Sequence, residues 1–247
     1  MKYTIGLNNK VVLLLTACVN PKGMSYTAIN DVHIRLQQYL QAIEWYLKNT
    51  KFDIVVVENT GCDFSQFAQF STFNDRLECL TFQGNNYDRN LGKGYGEVSI
   101  LEHACKHSIK ISRAEFVVKI TGRVIVKNIN EIIHRCDFIQ RLYIDYYRTD
   151  LTKFAAVLFI MNKDYLLCFE KLKSRLNDSQ GYYFEHCLKD TANLCGGARF
   201  VDMLPVSPII EGYSGSLGKK YDNTTPFRWL VKKILWKIKY RKLIFHS

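Results

Sequence analysis

Two apolar runs in the first quarter of the chain end in polar side chains that could bind a ligand. The first run covers residues 11–15 and the second covers residues 52–57. The side chains that follow them are Thr16, Cys18, Asn20, Glu58 and Asn59. A carboxylate and amides in such a place can exchange hydrogen bonds with ribose hydroxyls and base N–H groups, which an apolar pocket cannot do. The pattern predicts a nucleoside-binding rim, with an ordinary turn carboxylate as the alternative for Glu58.

Three glycines at alternate positions precede a predicted helix in the segment Asp-Arg-Asn-Leu-Gly-Lys-Gly-Tyr-Gly-Glu at 88–97. Glycines let a ligand approach the backbone closely, and the free N–H groups at a helix N-terminus bind phosphate or sugar oxygens. The order matches neither the dinucleotide fingerprint nor the P-loop. We predict a ligand-binding loop, with an unliganded flexible loop as the alternative. Its contact residues would be Asn90, Gly92, Lys93, Gly94 and Gly96.

Apolar runs alternate with helical periodicity along the first half of the chain, and the second half is less regular. Strands are predicted at 11–16, 52–57, 77–82, 116–120, 142–147, 155–161 and 200–204. Helices are predicted at about 34–47, 97–108, 163–176 and 182–188, with a polar helix between the second and third strands. This alternation predicts an α/β fold, a mostly parallel sheet flanked by helices, with antiparallel additions in the second half. Ligands of such sheets bind outside the carboxyl ends of the strands.

The order of these features resembles the GT-A glycosyltransferases, particularly small bacterial enzymes of capsule and lipopolysaccharide (O-antigen) synthesis. The resemblance rests on a first strand ending in Thr-Ala-Cys-Val-Asn-Pro, a second ending in Glu58-Asn59, and an Asn-x-Gly-x-Gly-x-Gly-Glu helix start; it covers residues 11–223. It implies a nucleotide-sugar donor and a glycan or lipid-linked glycan acceptor. In that superfamily the fourth strand ordinarily ends in an Asp-x-Asp that binds a divalent metal on the donor's diphosphate.

The fourth strand here ends instead in Thr121-Gly122-Arg123. This triplet cannot supply two carboxylates to Mg²⁺ or Mn²⁺, so no metal cofactor is expected at this motif, and Asp145 and Asp150 are the remaining candidate ligands for one. A guanidinium could neutralise the departing diphosphate directly, and we assign this role to Arg123, with a surface charge as the alternative. The resemblance also implies a C-terminal loop folded over the same phosphates. Its contact residues would be Ser214, Ser216 and Lys219.

A general base is also implied by the resemblance. The inverting members place an Asp or Glu at the start of a helix beneath the acceptor, and Glu185 in Tyr-Tyr-Phe-Glu-His at 182–186 matches by order and context. Glu185 would take the proton of an acceptor hydroxyl as it attacks the anomeric carbon. An ordinary helix carboxylate is the alternative, and Asp145 and Asp150 are the competing acids.

The last segment of the chain carries much of its positive charge. Residues 226–247 hold seven Lys or Arg and no acid, which leaves 27 basic and 23 acidic residues elsewhere from a total net charge of +11. Apolar positions recur at helical spacing through 227–238, a pattern typical of helices that lie at a membrane interface. We predict a transferase domain at 1–225 and a membrane-associating helix at 226–247; a helix docked on the domain is the alternative. The membrane contacts would be Trp229, Lys232, Lys233, Trp236 and Lys237.

Composition limits the remaining function classes. Apolar residues make up 47% and charged residues 23%, so the chain is globular. Eight cysteines without a CxxC pair predict a reducing compartment. Together with this, the resemblance and the basic tail imply a cytoplasmic protein that is peripheral on the inner face of a bacterial plasma membrane. A sugar nucleotidyltransferase is the alternative enzyme, although residues 16–23 lack its expected Gly-rich basic loop. A noncatalytic nucleic-acid binder is the other alternative, but the charge outside the tail is only +4, so no nucleic-acid partner is expected.

Overall fold

A mixed β-sheet forms the centre of the structure, a computed structural model that describes residues 10–24 and 27–246. The strands of the described residues are, in chain order, β1 (Val11–Ala17), β2 (Asp53–Glu58), β3 (Leu77–Thr81), β4 (Phe116–Thr121), β5 (Ile125–Val126), β6 (Leu142–Ile144), β7 (Leu158–Asn162), β8 (Val201–Met203) and β9 (Ile210–Glu211). Seven of them form one sheet in the order β3-β2-β1-β4-β7-β6-β8, and β5 pairs with β9.

Helices cover the sheet and connect its strands. They are α1 (Val32–Asn49), α2 (Gly92–His107), α3 (Ile109–Arg113), α4 (Ile129–Arg135), α5 (Tyr165–Glu170), α6 (Phe184–Leu194), α7 (Pro226–Leu235) and α8 (Arg241–His246). Short 3-10 turns at Phe64–Gln66 and Ala68–Phe73 stand where the sequence predicts a polar helix. The predicted α/β class is confirmed, because a mostly parallel sheet lies between helices.

The four strands of the first half are parallel, and β1 lies between β2 and β4. Every residue of β1 is buried, as expected for a continuous apolar run in the centre of a parallel sheet. Thr16 is in register with Val57 of β2 and with Thr121 of β4. The carboxyl ends of these strands therefore meet at one edge, as the sequence predicts.

The second half adds antiparallel strands, also as predicted. β7 pairs antiparallel with β4, β6 pairs antiparallel with β7, and β8 runs parallel to β6. The strands are shorter than predicted: β6 ends at Ile144 because the chain then bends, and the Asp145 carbonyl accepts a hydrogen bond from the Ala155 N–H at 2.8 Å. Likewise the helix predicted at 163–176 ends at Glu170 and is followed by a 3-10 turn at Lys173–Arg175.

The helix α7 continues through one π-helical turn, Trp236–Tyr240, into α8. Its two tryptophans pack inward: Trp229 is 4% exposed and Trp236 is fully buried, with its ring 5.2 Å from that of Tyr146. The prediction that these indoles lie at the level of lipid head groups is therefore wrong. The apolar pattern of the helix has two faces, and the tryptophan face is the one that packs on the sheet domain.

Two of the predicted membrane lysines are also engaged with the rest of the protein. Lys232 forms an ion pair with Asp145, and the Lys233 ammonium donates a hydrogen bond to the Pro205 carbonyl at 3.0 Å. Lys237 is exposed. Within the part of the chain that the structure describes, no helix combines the length and the apolar character needed to span a bilayer.

Candidate active site

A cavity of about 760 Å³ opens at the carboxyl ends of β1, β2 and β4. Most of the residues predicted from the sequence line it: Thr16, Cys18, Asn59, Lys93, Gly94, Gly96, Thr121, Arg123, Glu185, Ser214, Ser216 and Lys219. These residues come from six separate segments of the chain. The sheet edge, the start of α2, the start of α6 and the loop before α7 therefore converge on one site.

Glu58 fixes the rim of this cavity and does not face it. Its carboxylate is fully buried and accepts backbone hydrogen bonds from Val19 at 2.9 Å, Thr60 at 2.7 Å and Cys62 at 2.9 Å. These three bonds hold the loop after β1 against the loop after β2. The nucleoside-binding role predicted for Glu58 is wrong, and the alternative of a turn carboxylate is correct, because both oxygens are already occupied.

Four further predicted contacts, Asn20, Asn90, Gly92 and Gly122, lie outside the cavity lining. Asn20 is exposed, and its side chain accepts a hydrogen bond from the Lys22 N–H at 3.0 Å. Asn90 is exposed in the turn before α2. Gly122 is buried, and a Cβ there would lie 2.8 Å from the Thr16 carbonyl, so it serves the close approach of β4 to β1.

The start of α2 is occupied by a carboxylate of the protein. The helix begins at Gly92, five residues earlier than predicted, so Gly94 and Gly96 lie within its first turns. Asp178 accepts a hydrogen bond from the Lys93 N–H at 3.0 Å, and a Cβ on Gly92 would meet this carboxyl group at 2.0 Å. The glycines therefore lie within the helix and not in a loop before it, although Gly94 and Gly96 still line the cavity. These glycines serve close packing, and Asp178 takes the place expected for a phosphate.

Asp178 is itself a lining residue that the sequence did not reveal. It is 5% exposed, and its Oδ1 has no hydrogen-bond partner among the described residues. Burial raises the pKa of this carboxyl group, against the lowering effect of the Lys93 N–H and ammonium. Its free oxygen is suited to accept a hydrogen bond from a ligand hydroxyl.

Gly94 brings the helices α2 and α6 together. A Cβ on this residue would lie 2.9 Å from the Phe184 backbone nitrogen, so a larger residue would force the two helices apart. The contact places Lys93 at the start of α2 beside Glu185 at the start of α6, and both line the cavity. Electrostatic attraction from Glu185 and Asp178 opposes the effect of burial, which lowers the pKa of Lys93.

Arg123 lies beneath the loop 213–221 that precedes α7. Its side chain is 8% exposed and donates hydrogen bonds to the Gln38 amide oxygen at 3.2 Å and the Tyr213 carbonyl at 3.4 Å. A Cβ on Gly215 would lie 2.2 Å from its Nη2, so a larger residue there would displace the guanidinium. The predicted neighbourhood of Arg123 and this loop is present in the structure.

The same loop is fastened at a second point. The Lys93 ammonium donates a hydrogen bond to the Ser216 hydroxyl at 2.5 Å, which joins the loop to the start of α2. Lys219 and Lys220 continue the lining from this loop. The lining has more basic than acidic side chains: Arg35, Lys93, Lys119, Arg123, Lys153, Lys219 and Lys220 against Glu97, Asp178, Glu185 and Asp222. A cavity of this composition suits a ligand with several negative charges.

Lys119 is a buried cation on the floor of the cavity. It is 1% exposed, and its ammonium lies 2.6 Å from Glu97 Oε1 and donates to the Ala156 carbonyl at 2.8 Å. The rings of Phe159 and Phe184 each lie 5.6 Å from it. Because Lys119 is two residues before Thr121 on β4, this ion pair lies behind the strand end that carries Arg123.

This ion pair makes a stability prediction. We expect Lys119→Met to lower the free energy of unfolding by about 3 kcal/mol, because it leaves the Glu97 carboxylate without its partner. The double variant Lys119→Met/Glu97→Gln should recover most of that loss. Urea unfolding followed by circular dichroism measures both. Equal stability of the single variant and the wild type would contradict the account of a coupled pair.

The residues at the end of β4 do not fit a divalent metal. This strand end presents the Thr121 hydroxyl among the cations Lys119 and Arg123, and hard divalent cations prefer carboxylate oxygens. Asp145 is paired with Lys232, and Asp150 with Lys153 at 2.7 Å. Within residues 10–24 and 27–246 no group of three His, Cys, Asp or Glu side chains could hold a metal ion.

Glu185 is the carboxylate of the cavity that is placed to accept a proton. It lies in the first turn of α6, is half-buried, and its side chain makes no hydrogen bond to the described residues. Tyr147 lines the same cavity, and burial, together with the negative charge of Glu185, raises its pKa. An unoccupied carboxylate beside a cationic pocket is suited to general-base chemistry.

The sequence analysis missed several lining residues, and only some of them had a local signal. Lys119 interrupts the apolar run of β4, and a lysine in a central strand calls for a buried partner. Arg35 donates to the Cys18 carbonyl at 2.8 Å, and Tyr39 lies one helical turn later on α1. Asp178 has no local signal, because its partner Lys93 lies far away in the chain. Tyr147 and Lys153 also went unpredicted.

Comparisons with known proteins concern the fold alone. No family model matches the chain, and no curated protein matches it. The fold is similar to the apo-form glycosyltransferase GlyE of Streptococcus pneumoniae TIGR4, with TM-score 0.44 and 10% identity over 67% of this chain and 39% of that one. It is also similar to the inositol-1-phosphate CTP transferase from T. maritima, with TM-score 0.47 and 12% identity over 93% of this chain and 97% of that one.

A third similar structure is core-mannan synthase A (CmsA/Ktr4) from Aspergillus fumigatus in its Mn/GDP form. It has a TM-score of 0.47 and 8% identity over 96% of this chain and 86% of that one. The chain spans only 39% of the length of GlyE, so the full extent of that protein has no counterpart here.

Proposed function

We propose that the protein is a glycosyltransferase that moves a sugar from a nucleotide sugar to a hydroxyl group of a glycan or lipid-linked glycan, as in capsule or lipopolysaccharide synthesis. The observation that carries the proposal is the buried Arg123 at the end of β4, covered by the loop 213–221 inside a cationic cavity. A diphosphate is the group of a nucleotide sugar that such an arrangement suits.

The reaction follows from the positions of the charges. Glu185 takes the proton of the acceptor hydroxyl while the oxygen of that hydroxyl forms a bond to the anomeric carbon of the donor sugar. The bond between that carbon and the diphosphate oxygen breaks, and the electron pair leaves with the nucleoside diphosphate. Arg123, Lys93 and Lys219 stabilise the negative charge that develops on the diphosphate. Attack from the side opposite the leaving group inverts the anomeric configuration.

The cationic side chains would do here what a metal does elsewhere. A metal-bound diphosphate is neutralised by an ion that the protein holds through carboxylates, whereas this cavity is lined by Arg123, Lys93 and Lys219. The positive charge is fixed before the donor arrives, so no reorganisation is needed in the reaction. We propose that transfer proceeds without a divalent cation.

A release assay tests the proposed function against its closest alternative. The protein is incubated with UDP, GDP, CMP and dTDP sugars and glycan acceptors, and free nucleotide is measured; in parallel it receives nucleoside triphosphates with sugar phosphates, and pyrophosphate is measured. We expect nucleotide release from one donor class and no pyrophosphate. Pyrophosphate release would instead identify a sugar nucleotidyltransferase.

The loop after β1 does not favour the nucleotidyltransferase. In the described part of this loop the basic residue is Lys22, which is exposed and does not line the cavity. Arg35 lines the cavity, but its guanidinium is occupied by the Cys18 and Ile29 carbonyls. A triphosphate at this loop would therefore meet few available cations.

We also propose that α7 and α8 attach the protein to an anionic membrane, at the cytoplasmic face of a bacterial plasma membrane. One face of the helix remains exposed and apolar, with Phe227 at 74%, Leu230 at 56%, Ile234 at 48% and Ile238 at 71%. We call these four residues the apolar stripe. Exposed cations on the same helix include Arg228 and Lys237. Apolar insertion combined with basic side chains is what binds amphipathic helices to anionic lipid surfaces.

The apolar stripe makes a binding prediction. We expect Leu230→Glu/Ile234→Glu to reduce sedimentation with phosphatidylglycerol-containing vesicles at least about tenfold, because two inserting side chains are replaced by anions. The matched control is Ile139→Glu/Leu194→Glu, which changes two exposed apolar residues elsewhere. Equal losses in both double variants would show that net charge, rather than the stripe, governs vesicle binding.

A further inference from the structure

A second cavity of about 410 Å³ lies between α7 and the segment that follows β6. Its lining consists of Tyr146, Tyr147, Arg148, Thr224, Phe227, Arg228, Val231 and Lys232, which we call the helix groove. Tyr147 also lines the main cavity that contains Glu185. The helix groove is therefore a direct neighbour of the candidate active site, with one side chain between them.

The charge of the helix groove is positive. Arg148 and Arg228 are exposed, and their side chains form no ion pair or hydrogen bond with the residues that the structure describes. The third cation, Lys232, is already paired with Asp145. No acidic residue belongs to the lining. Two available guanidinium groups facing one groove suit a phosphate, which can accept paired hydrogen bonds from each of them.

The other character of the helix groove is apolar. Phe227 belongs both to the groove and to the apolar stripe, and it is 74% exposed. From Phe227 the stripe continues along the helix to Ile238. A ligand that spans both regions would carry a phosphate at one end and a hydrocarbon chain at the other.

We propose that the helix groove binds the phosphate head of a lipid acceptor, with its hydrocarbon chain along the apolar stripe and its glycan directed past Tyr147 toward Glu185. This inference rests on the proposed function, because it names the acceptor of that reaction. It assigns the groove a lipid phosphate rather than free phosphate, since a free anion would leave the apolar side of the site unused. General attraction to a membrane does not require two arginines in one groove, whereas binding of a phosphate does.

Dodecyl phosphate below its micelle-forming concentration is a suitable probe, measured by isothermal titration calorimetry with the full chain. We expect Arg148→Gln/Arg228→Gln to weaken its binding at least about tenfold, because two charge-assisted contacts are lost. The matched control is Lys51→Gln/Arg113→Gln, which removes the same charge from exposed positions outside the groove and should change binding less than twofold. Inorganic phosphate and dodecanol should each bind far more weakly than dodecyl phosphate.

Several outcomes would overturn the proposal. Equal weakening in the groove and control variants would mean that only net charge matters. Equal binding of inorganic phosphate would make the groove an anion site without a lipid role, and equal binding of dodecanol would remove the role of the arginines. Nucleotide-sugar binding is measured on the same variants and should be unchanged. If Arg148→Gln/Arg228→Gln keeps both its transfer activity and the wild-type affinity for dodecyl phosphate, the groove proposal alone is overturned. If the wild type binds no nucleotide sugar, the proposed function is overturned.

Discussion

Replacing Arg123 with methionine is expected to reduce the rate of sugar transfer about 1,000-fold. The guanidinium is a preorganised cation at the place where the diphosphate gains charge, and removing one such group typically costs about 100- to 1,000-fold in rate. Methionine keeps the apolar length of the side chain, so packing beneath Gly215 is retained. Nucleotide release at saturating donor measures the effect, and circular dichroism checks that the fold is unchanged.

The control for this variant removes a contact of Arg123 without removing its charge. Gln38 accepts a hydrogen bond from Arg123 at 3.2 Å but does not line the cavity. We expect Gln38→Ala to transfer sugar at close to the wild-type rate. If Gln38→Ala is as slow as Arg123→Met, the arginine supports the local structure only. Wild-type turnover by Arg123→Met would remove it from the mechanism.

Replacing Glu185 with glutamine is expected to reduce transfer to the acceptor about 1,000-fold while leaving donor binding unchanged. General-base assistance contributes about 100- to 10,000-fold, and glutamine preserves the shape of the side chain without its basicity. Steady-state transfer rates and donor affinity from titration calorimetry separate the two effects. A parallel loss of donor affinity would show that Glu185 holds the donor rather than the acceptor proton.

Asp150 provides the matched control, because the sequence names it as a competing acid. It is partly exposed, and hydrogen bonds from Lys153 and Thr152 lower the pKa of this carboxyl group to about 2. A carboxylate with so low a pKa is a weak base at neutral pH. We expect Asp150→Asn to retain nearly full activity. Loss of activity in this variant with retention in Glu185→Gln would exchange the two roles.

The strands of the first half could be predicted because their signal is local. A buried central strand is a short continuous apolar run, and the polar residue that follows marks the point where the chain leaves the core. Thr16 and Thr121 were therefore correctly placed at one sheet edge. Glu58 was placed at the same edge, but its partners Val19 and Cys62 belong to loops whose paths a local pattern does not specify.

The start of α2 shows why the function of a glycine cannot be read from spacing alone. Alternate glycines allow ligand contact and close packing equally well. The structure decides for packing, because Gly94 faces the backbone of Phe184 and Gly92 faces Asp178. Both partners lie more than 80 positions later in the chain. No local property of the sequence indicates such pairs.

The final helix illustrates a different limit. Its apolar residues form two faces, one with Trp229 and Trp236 and the other with the apolar stripe. Helical periodicity identifies both faces but does not say which of them packs on the protein. The tryptophans were therefore assigned to the membrane although they are buried, whereas the exposed face consists of aliphatic residues and one phenylalanine.

A thermal-shift measurement with nucleotide sugars in EDTA tests the central claim most directly, namely that fixed side-chain cations bind the diphosphate. A ligand that binds only the folded state raises the melting temperature. We predict that one of the UDP, GDP, CMP or dTDP sugars raises the Tm in the presence of EDTA, and that Arg123→Met abolishes the rise. A rise that requires Mn²⁺, or no rise with any nucleotide sugar, would contradict the account.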